Sequence, residues 1–226
     1  MHFVNAQRVC RGMEMGEVPP EKTIIRDVLH VAWPSVLESF FVGLAGMVDT
    51  IMVGALGSYA IAAVGLTTQP KFLGLALFLS MNVAVSAIVA RRKGENDRES
   101  ANRVVRMVLL ITVLLTAVIS AAFVAFASPI VAMVGSQPDT HEYAVDYLRI
   151  IMGGQIFSTV SLVLNAAQRG AGNTRIAMVT NLISNIVNVL FNYLLIGGNF
   201  GFPALGVRGA ALATVIGTIC ACVLSI

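Results

Sequence analysis

Two acidic residues inside an apolar stretch are the first side chains in this sequence that could do chemistry. Glu38 and Asp49 are the only acids between residues 31 and 55. A carboxylate within a membrane span is expensive to bury and points by default to an ion or substrate pathway. The two acids are 11 residues apart, so on an α-helix they share one face, about 16 Å apart along the axis. We predict a functional carboxylate at the deeper Asp49 and a secondary role for Glu38. A structural acid satisfied by the backbone or by an asparagine is the alternative.

A ladder of amides is the second signal. Its four members follow the spacing i, i+4, i+7, i+11: Asn181, Asn185, Asn188 and Asn192. On a helix they fall within about 60° of one another, and such a polar stripe does not face lipid cheaply. They face a partner helix, where each hydrogen bond contributes about 0.6 kcal/mol, or a wet cavity. Asn188 and Asn192 lie at the depth of Asp49 and are the stronger site candidates, while Asn181, Asn185 and Asn165 are secondary ones.

These residues define what chemistry is available. A deep carboxylate, several amides and the hydroxyl of Thr214 offer oxygen atoms, which suit a proton on Asp49 or a small hard cation such as Na⁺. No histidine is placed to hold a transition metal, and no other cofactor is indicated. No nucleophile–base pair or phosphate-binding loop is present. We therefore predict a protein with no catalytic residues, which is not an enzyme.

The composition predicts that helices spanning a membrane position these side chains. Of the 226 residues, 57% are hydrophobic and 12% are charged, about half the charge of a soluble domain, and the mean hydropathy is +0.82. Six stretches are apolar enough to span a bilayer, which takes about 20 residues. They predict an all-α six-helix bundle within residues 28–226, after a leader at 1–27. The predicted spans 1 to 6 cover residues 31–55, 72–90 (extended on its N-terminal side and kinked near Pro70), 107–127, 150–168, 176–197 and 209–226.

The distribution of charge predicts an orientation. Twelve of the 15 lysines and arginines fall in the leader and in the loops after spans 2 and 4, whereas Lys71, Arg149 and Arg208 fall on the other side. Because cytoplasmic loops carry the Lys/Arg excess, we predict a multi-pass protein of the cell (inner or plasma) membrane with a cytoplasmic N-terminus. The basic residues are thus an orientation signal, and we expect a lipid bilayer rather than a nucleic acid as partner.

Five segments of the sequence are specific when taken together. They are "DTIMVGALGSYAIAAVGL", "ARRKGENDRESANRVVR", "QRGAGNTRIAM", "NVLFNYLLIGG" and "GVRGAALATVIG". Together they resemble the N-terminal lobe of the multidrug and toxic compound extrusion (MATE) family. The resemblance spans about residues 27 to 226 and implies one six-helix lobe of a twelve-helix transporter, whose two lobes face a central cavity and rock between inward and outward states.

The resemblance implies roles for individual residues. Asp49, Asn188, Asn192 and Thr214 match the family's cation site in this lobe, with the backbone near Ala210 contributing, and the coupling ion is Na⁺ or H⁺. It also implies that span 1 bends near Pro34 during transport. Some branches carry Asp where this chain has Asn192, so the pattern is similar to the NorM-like branch, and proton traffic would rest on Asp49.

The resemblance implies a cation-coupled antiporter that exports drugs or organic cations. No second lobe is present and the chain ends inside span 6, so we expect a fragment of a protein about twice as long, because alternating access needs two halves. Two alternatives remain. One is a flippase for lipid-linked precursors or a polysaccharide exporter of a related superfamily, although Lys and Arg are nearly absent from the spans. The other is a non-transporting truncated membrane protein.

Overall fold

A computed structural model describes residues 21–226, except for the side chains of residues 21–24, 27, 28, 30 and 31. Most of the predicted leader lies outside this part of the chain, so that domain boundary stays a prediction. The described residues form α-helices and one short 3-10 turn, with no strand among them, which confirms the all-α class. The helices are α1 (Glu21–Gly54), α2 (Ser58–Gly94), α3 (Arg98–Ala125), α4 (Ala127–Met133), α5 (Pro138–Gly153), α6 (Gln155–Gly170), α7 (Thr174–Gly197) and α8 (Val207–Ser225), and the turn is Asn199–Gly201.

Six crossings are present if one broken pair counts as a single span. Within residues 21–226, five helices are long and apolar enough to cross a membrane, and α5 and α6 together make a sixth crossing that is bent by 46°. The predicted span at 150–168 therefore lies within this crossing, but it begins too late and it did not include the break. The break falls at Gly154, where an added Cβ would lie 2.5 Å from Val215 Cγ2 of α8. The Gly153–Gly154 pair has low helix propensity and permits both the bend and the close approach.

Helix α2 is longer than the span predicted from hydropathy. It begins at Ser58, which confirms the N-terminal extension, and it stays helical through Pro70 to Gly94. Its 37 residues measure about 55 Å at 1.5 Å per residue, more than the ~30 Å hydrocarbon core. Lys71, which the sequence placed with the loops, therefore lies well inside a helix that crosses the membrane. Helix α1 likewise continues through Pro34.

The outer surface is apolar and some of the interior is polar, as expected of a bundle in lipid. On α3 the side chains of Leu110, Leu114 and Val118 are 66–68% exposed, whereas Thr112 and Thr116 are buried. The hydroxyl of Thr116 lies 3.0 Å from that of Thr159 on α6. In hydrocarbon, polar side chains find partners across helices, so α3 turns its hydroxyls inward and its leucines outward.

The pair α7–α8 is the most closely packed in the bundle, and glycines make this possible. An added Cβ at Gly209 would lie 2.4 Å from the carbonyl oxygen of Leu195, and one at Gly217 would lie 3.0 Å from Cβ of Asn188. The predicted small-residue ridge on the last span is thus confirmed as a packing surface, since Gly209, Ala213, Gly217 and Ala221 are all buried. This contact holds Ala210 and Thr214 against the asparagines of α7.

Candidate cation site

Helices α1 and α7 run side by side in one register, and this register pairs each acid with an amide. Asn181 Nδ2 donates to Glu38 Oε1 at 2.5 Å, and Asn192 Nδ2 donates to Asp49 Oδ1 at 2.5 Å. Both pairs join residues 143 apart in sequence, because two parallel helices of equal rise keep a constant offset. The predicted shared face of the two acids and the predicted common depth of Asp49 and Asn192 are confirmed, whereas the pairing of Glu38 with Asn181 was not predicted.

Asp49 is held by both deep amides of α7. The Asn188 amide can be placed in either of two orientations, and hydrogen bonding decides between them. In one, Asn188 Nδ2 lies 3.0 and 3.2 Å from the two oxygens of Asp49, and its oxygen accepts from the Thr214 N–H at 3.2 Å. In the other, its oxygen faces the carboxylate and its nitrogen lies 3.4 Å from Thr214 Oγ1. The first orientation gives both polar atoms of the Asn188 amide suitable partners, so we assign that orientation.

A cavity of about 300 Å³ adjoins the Asp49 carboxylate. It is lined from five helices, which makes the site a product of the whole bundle rather than of one segment. Its polar and backbone lining includes Asp49, Thr68, Lys71, Tyr147, Asn192, Ala210 and Thr214.

The oxygen atoms at this cavity suit a hard cation. The Thr214 hydroxyl donates to the carbonyl oxygen of Ala210 at 3.0 Å, which brings two further oxygens beside the carboxylate. Asn192 Oδ1 is buried, and it has no hydrogen-bond partner within the described part of the chain. A buried acceptor without a donor costs about 1–3 kcal/mol, and a cation would satisfy it. The residues present therefore fit Na⁺, which prefers carboxylate, carbonyl and hydroxyl oxygens.

The secondary candidates form a different group. We call Glu38, Asn165, Arg169 and Asn181 the Glu38 cluster. Glu38 Oε1 also accepts from Arg169 Nη1 at 3.2 Å, and Asn165 Nδ2 lies 3.3 Å from Asn181 Oδ1. None of these four side chains lines the Asp49 cavity. Asn185 lies between the two groups along α7, and its buried Nδ2 has no partner among the described residues.

Two residues at the cavity were missed by sequence reasoning. Tyr147 is buried on α5, and the Lys71 ammonium lies 5.0 Å from the centre of its ring. A signal for Lys71 existed, because it is the only charged residue between positions 58 and 90. Nothing in the sequence marks Tyr147, since it belongs to the part of the broken crossing that hydropathy did not include.

Comparison with known protein families gives a match over most of the chain. The family model MatE matches residues 34–194. The chain belongs to the MatE family. A probable multidrug resistance protein NorM from Thermotoga maritima is 28% identical over 201 residues, which are 88% of this chain and 42% of that protein. One of the same name from Rhizobium meliloti is 35% identical over 73% of this chain and 35% of its own length.

Solved MATE transporters share the fold. An outward-facing multidrug resistance MATE transporter of the MOP superfamily superimposes with a TM-score of 0.81 at 26% identity, over 88% of this chain and 43% of that one. A MOP superfamily transporter from Pyrococcus furiosus gives the same values. The chain thus spans less than half the length of these relatives, which confirms the prediction that it corresponds to about one lobe of a MATE transporter.

Proposed function

We propose that this chain forms the ion-coupling lobe of an antiporter that exports drugs or organic cations in exchange for Na⁺ or H⁺. Several of the relatives are named as multidrug resistance proteins, including PmpM from Pseudomonas aeruginosa. These names support drugs as the class of substrate. The coupling step rests on the Asp49 site. A lobe alone does not alternate its access, so the activity belongs to a two-lobe protein in which a second six-helix lobe faces this one.

The observation that carries the proposal is the pair of amides beside a deep carboxylate. Asn192 Nδ2 donates to Asp49 Oδ1 at 2.5 Å, and the Asn188 amide nitrogen can be placed 3.0 Å from the same oxygen. Asp49, Asn192, Ala210 and Thr214 all line one cavity. In this proposal the carboxylate takes the proton, or its oxygens and those of the neighbouring groups bind the Na⁺ ion.

Ion binding acts on transport only through a difference in affinity between two states of the protein. The site joins α1, α7 and α8, so a cation that draws Asp49 toward Asn188 and Thr214 favours the packing in which α1 lies close to those helices. We propose that α1 bends at the buried Pro34, which removes one helical hydrogen bond, when the ion enters or leaves. Solved relatives include a MATE in a bent and a MATE in a straight conformation, so proteins of this fold adopt two conformations.

The charge distribution supports the placement of this lobe in the cell membrane with the N-terminus in the cytoplasm. Eight of the basic residues lie at the turns after α2 and α6 or next to them in the adjoining helices, and such an excess marks the cytoplasmic side. On this orientation the Asp49 cavity lies toward the outer half of the membrane, and the Glu38 cluster lies toward the cytoplasm. Cations therefore reach Asp49 from outside.

Transport by the complete protein that contains this chain tests the proposal. Cells without their own efflux pumps would express the complete protein unaltered, with Asp49→Asn, or with the control Asp139→Asn, which removes the same charge at the exposed start of α5. The measured quantity is accumulation of a fluorescent organic cation, with Na⁺ and pH gradients imposed separately on membrane vesicles. We expect Asp49→Asn to abolish gradient-driven efflux at unchanged expression, and Asp139→Asn to keep it. Efflux against a gradient by Asp49→Asn would refute the role of this carboxylate.

A further inference from the structure

Lys71 places a second charge in the cavity that holds the Asp49 carboxylate. Lys71 is the fourteenth residue of α2, about 20 Å from its first residue at 1.5 Å per residue. Side chains on a helix tilt toward its N-terminus, and the N-terminus of α2 follows the end of α1 that carries Asp49. The long lysine side chain therefore extends along the wall of the cavity toward the carboxylate, and both residues line it.

The Lys71 ammonium is not neutralised by a close ion pair. Within residues 21–226, no described carboxylate forms an ion pair with it, and its nearest recorded partner is the face of the Tyr147 ring. A lysine deep in a membrane span costs about 2.5–3.5 kcal/mol or more, and a cation–π contact recovers only part of that cost. Asp49 is the carboxylate with which Lys71 interacts electrostatically across the cavity.

We propose that the Lys71 ammonium is a built-in competitor for the cation site and that it weakens the binding of Na⁺ at Asp49. This inference rests on the proposed function and adds that the site binds Na⁺ less tightly than the Asp49 carboxylate alone would. The titratable groups that line the cavity are Asp49 from α1, Lys71 from α2 and Tyr147 from α5, while α7 and α8 contribute neutral groups. With Lys71 charged, one carboxylate faces two cations when Na⁺ enters. The ammonium also has three donors, and it lines the same cavity as the oxygens of Asp49 and Thr214.

The consequence is a cavity whose lining charges sum to zero when Asp49 is ionised, rather than to −1. A Na⁺ ion then gains less from the carboxylate, because repulsion by the ammonium opposes its entry. Without the lysine charge, a Na⁺ ion at the site should gain the full attraction of the Asp49 carboxylate. For an ammonium and a Na⁺ ion roughly 8 Å apart in a protein interior, removing the repulsion between them raises the Na⁺ affinity on the order of tenfold to a hundredfold.

Direct measurement of Na⁺ binding tests whether Lys71 weakens it. The full chain in lipid nanodiscs would be titrated with NaCl at constant ionic strength, by isothermal calorimetry and by ²³Na NMR line broadening. The variants are Lys71→Gln and Lys71→Met, which remove the charge, and Lys71→Arg, which keeps it. Lys93→Gln is the matched control, because it removes a lysine charge from the other end of the same helix. Melting temperatures show which variants are folded, and the two uncharged variants give two chances of a folded protein.

We expect Lys71→Gln and Lys71→Met to bind Na⁺ about tenfold to a hundredfold more tightly than the chain as given. Lys71→Arg and Lys93→Gln should bind as weakly as the unaltered chain. Adding Asp49→Asn to Lys71→Gln should remove the new binding. Equal Na⁺ affinity in the folded uncharged variants and the unaltered chain would overturn the proposal, and so would tight Na⁺ binding by Lys71→Arg. Those results would leave the coupling role of Asp49 standing, because that role fails only if Asp49→Asn still supports coupled efflux.

Discussion

The contact between α8 and α7 at Gly209 supports a quantitative prediction about the cation site. A Cβ at position 209 would lie 2.4 Å from the carbonyl oxygen of Leu195, whereas ordinary contacts begin at 3.4 Å. Gly209→Ala therefore has to push α8 away from α7 by about 1 Å, because the obstacle is backbone rather than a movable side chain. Overpacking of this kind costs about 1–3 kcal/mol, of which the better helix propensity of alanine recovers about 1 kcal/mol.

We expect a net loss of about 1 kcal/mol, or a melting temperature lower by about 2–4 °C. The matched control is Gly43→Ala on α1, where an added Cβ meets nothing within 4 Å, so this variant should be neutral or slightly stabilised. Thermal unfolding in lipid nanodiscs, followed by circular dichroism, measures both. Ala210 and Thr214 lie on the displaced helix, so Gly209→Ala should also weaken Na⁺ binding in a Lys71→Gln background. Equal melting temperatures for the two alanine variants would refute the reasoning about the close contact.

Two further predictions concern the end of the bundle where α2 turns into α3. Glu38→Gln and Arg169→Gln should show a coupling free energy of about 1 kcal/mol in a double-mutant cycle on unfolding, because the pair is mostly buried. A coupling free energy of zero would show that the ion pair does not stabilise the fold. The Ser100 side chain and then the Ser100 N–H hydrogen-bond to Asp97 and lower the pKa of that carboxyl, so the stabilising cap is present above pH ~4 and is lost as the pH falls through the lowered value. Asp97→Asn still caps α3 without titrating, and the difference in melting temperature between it and the unaltered chain should therefore change below pH ~4 and stay constant above pH 5.

Much of the cation site could be predicted from the sequence, because membrane helices obey a strict local geometry. In hydrocarbon the backbone must satisfy its own hydrogen bonds, so an apolar stretch is a helix and residue spacing gives the face of each side chain. That rule put Glu38 and Asp49 on one face and aligned the asparagines of α7. The structure confirms both patterns and shows the contact between Asp49 and Asn192.

The break at Gly154 and the place of Lys71 could not be predicted in this way. The hydropathy of residues 138–170 does not show where the helix breaks, because the position of the break depends on the close approach of Val215 from α8. The sequence predicted that span 2 extends on its N-terminal side, but it counted Lys71 with the charges of the outer side. Only the packed bundle shows that the Lys71 ammonium lies over the Tyr147 ring and that both residues line the cavity of Asp49.

The sequence by itself determined which side chains share a helix face, because helical periodicity is local and the bilayer allows no other backbone. It also determined that Asp49 would need polar partners, since an acid in hydrocarbon is costly. Only the tertiary structure decided which charge shares the cavity with Asp49. That choice depends on the register between α1, α2 and α5, which is set by side-chain packing between helices distant in sequence and is not carried by the pattern of any one helix.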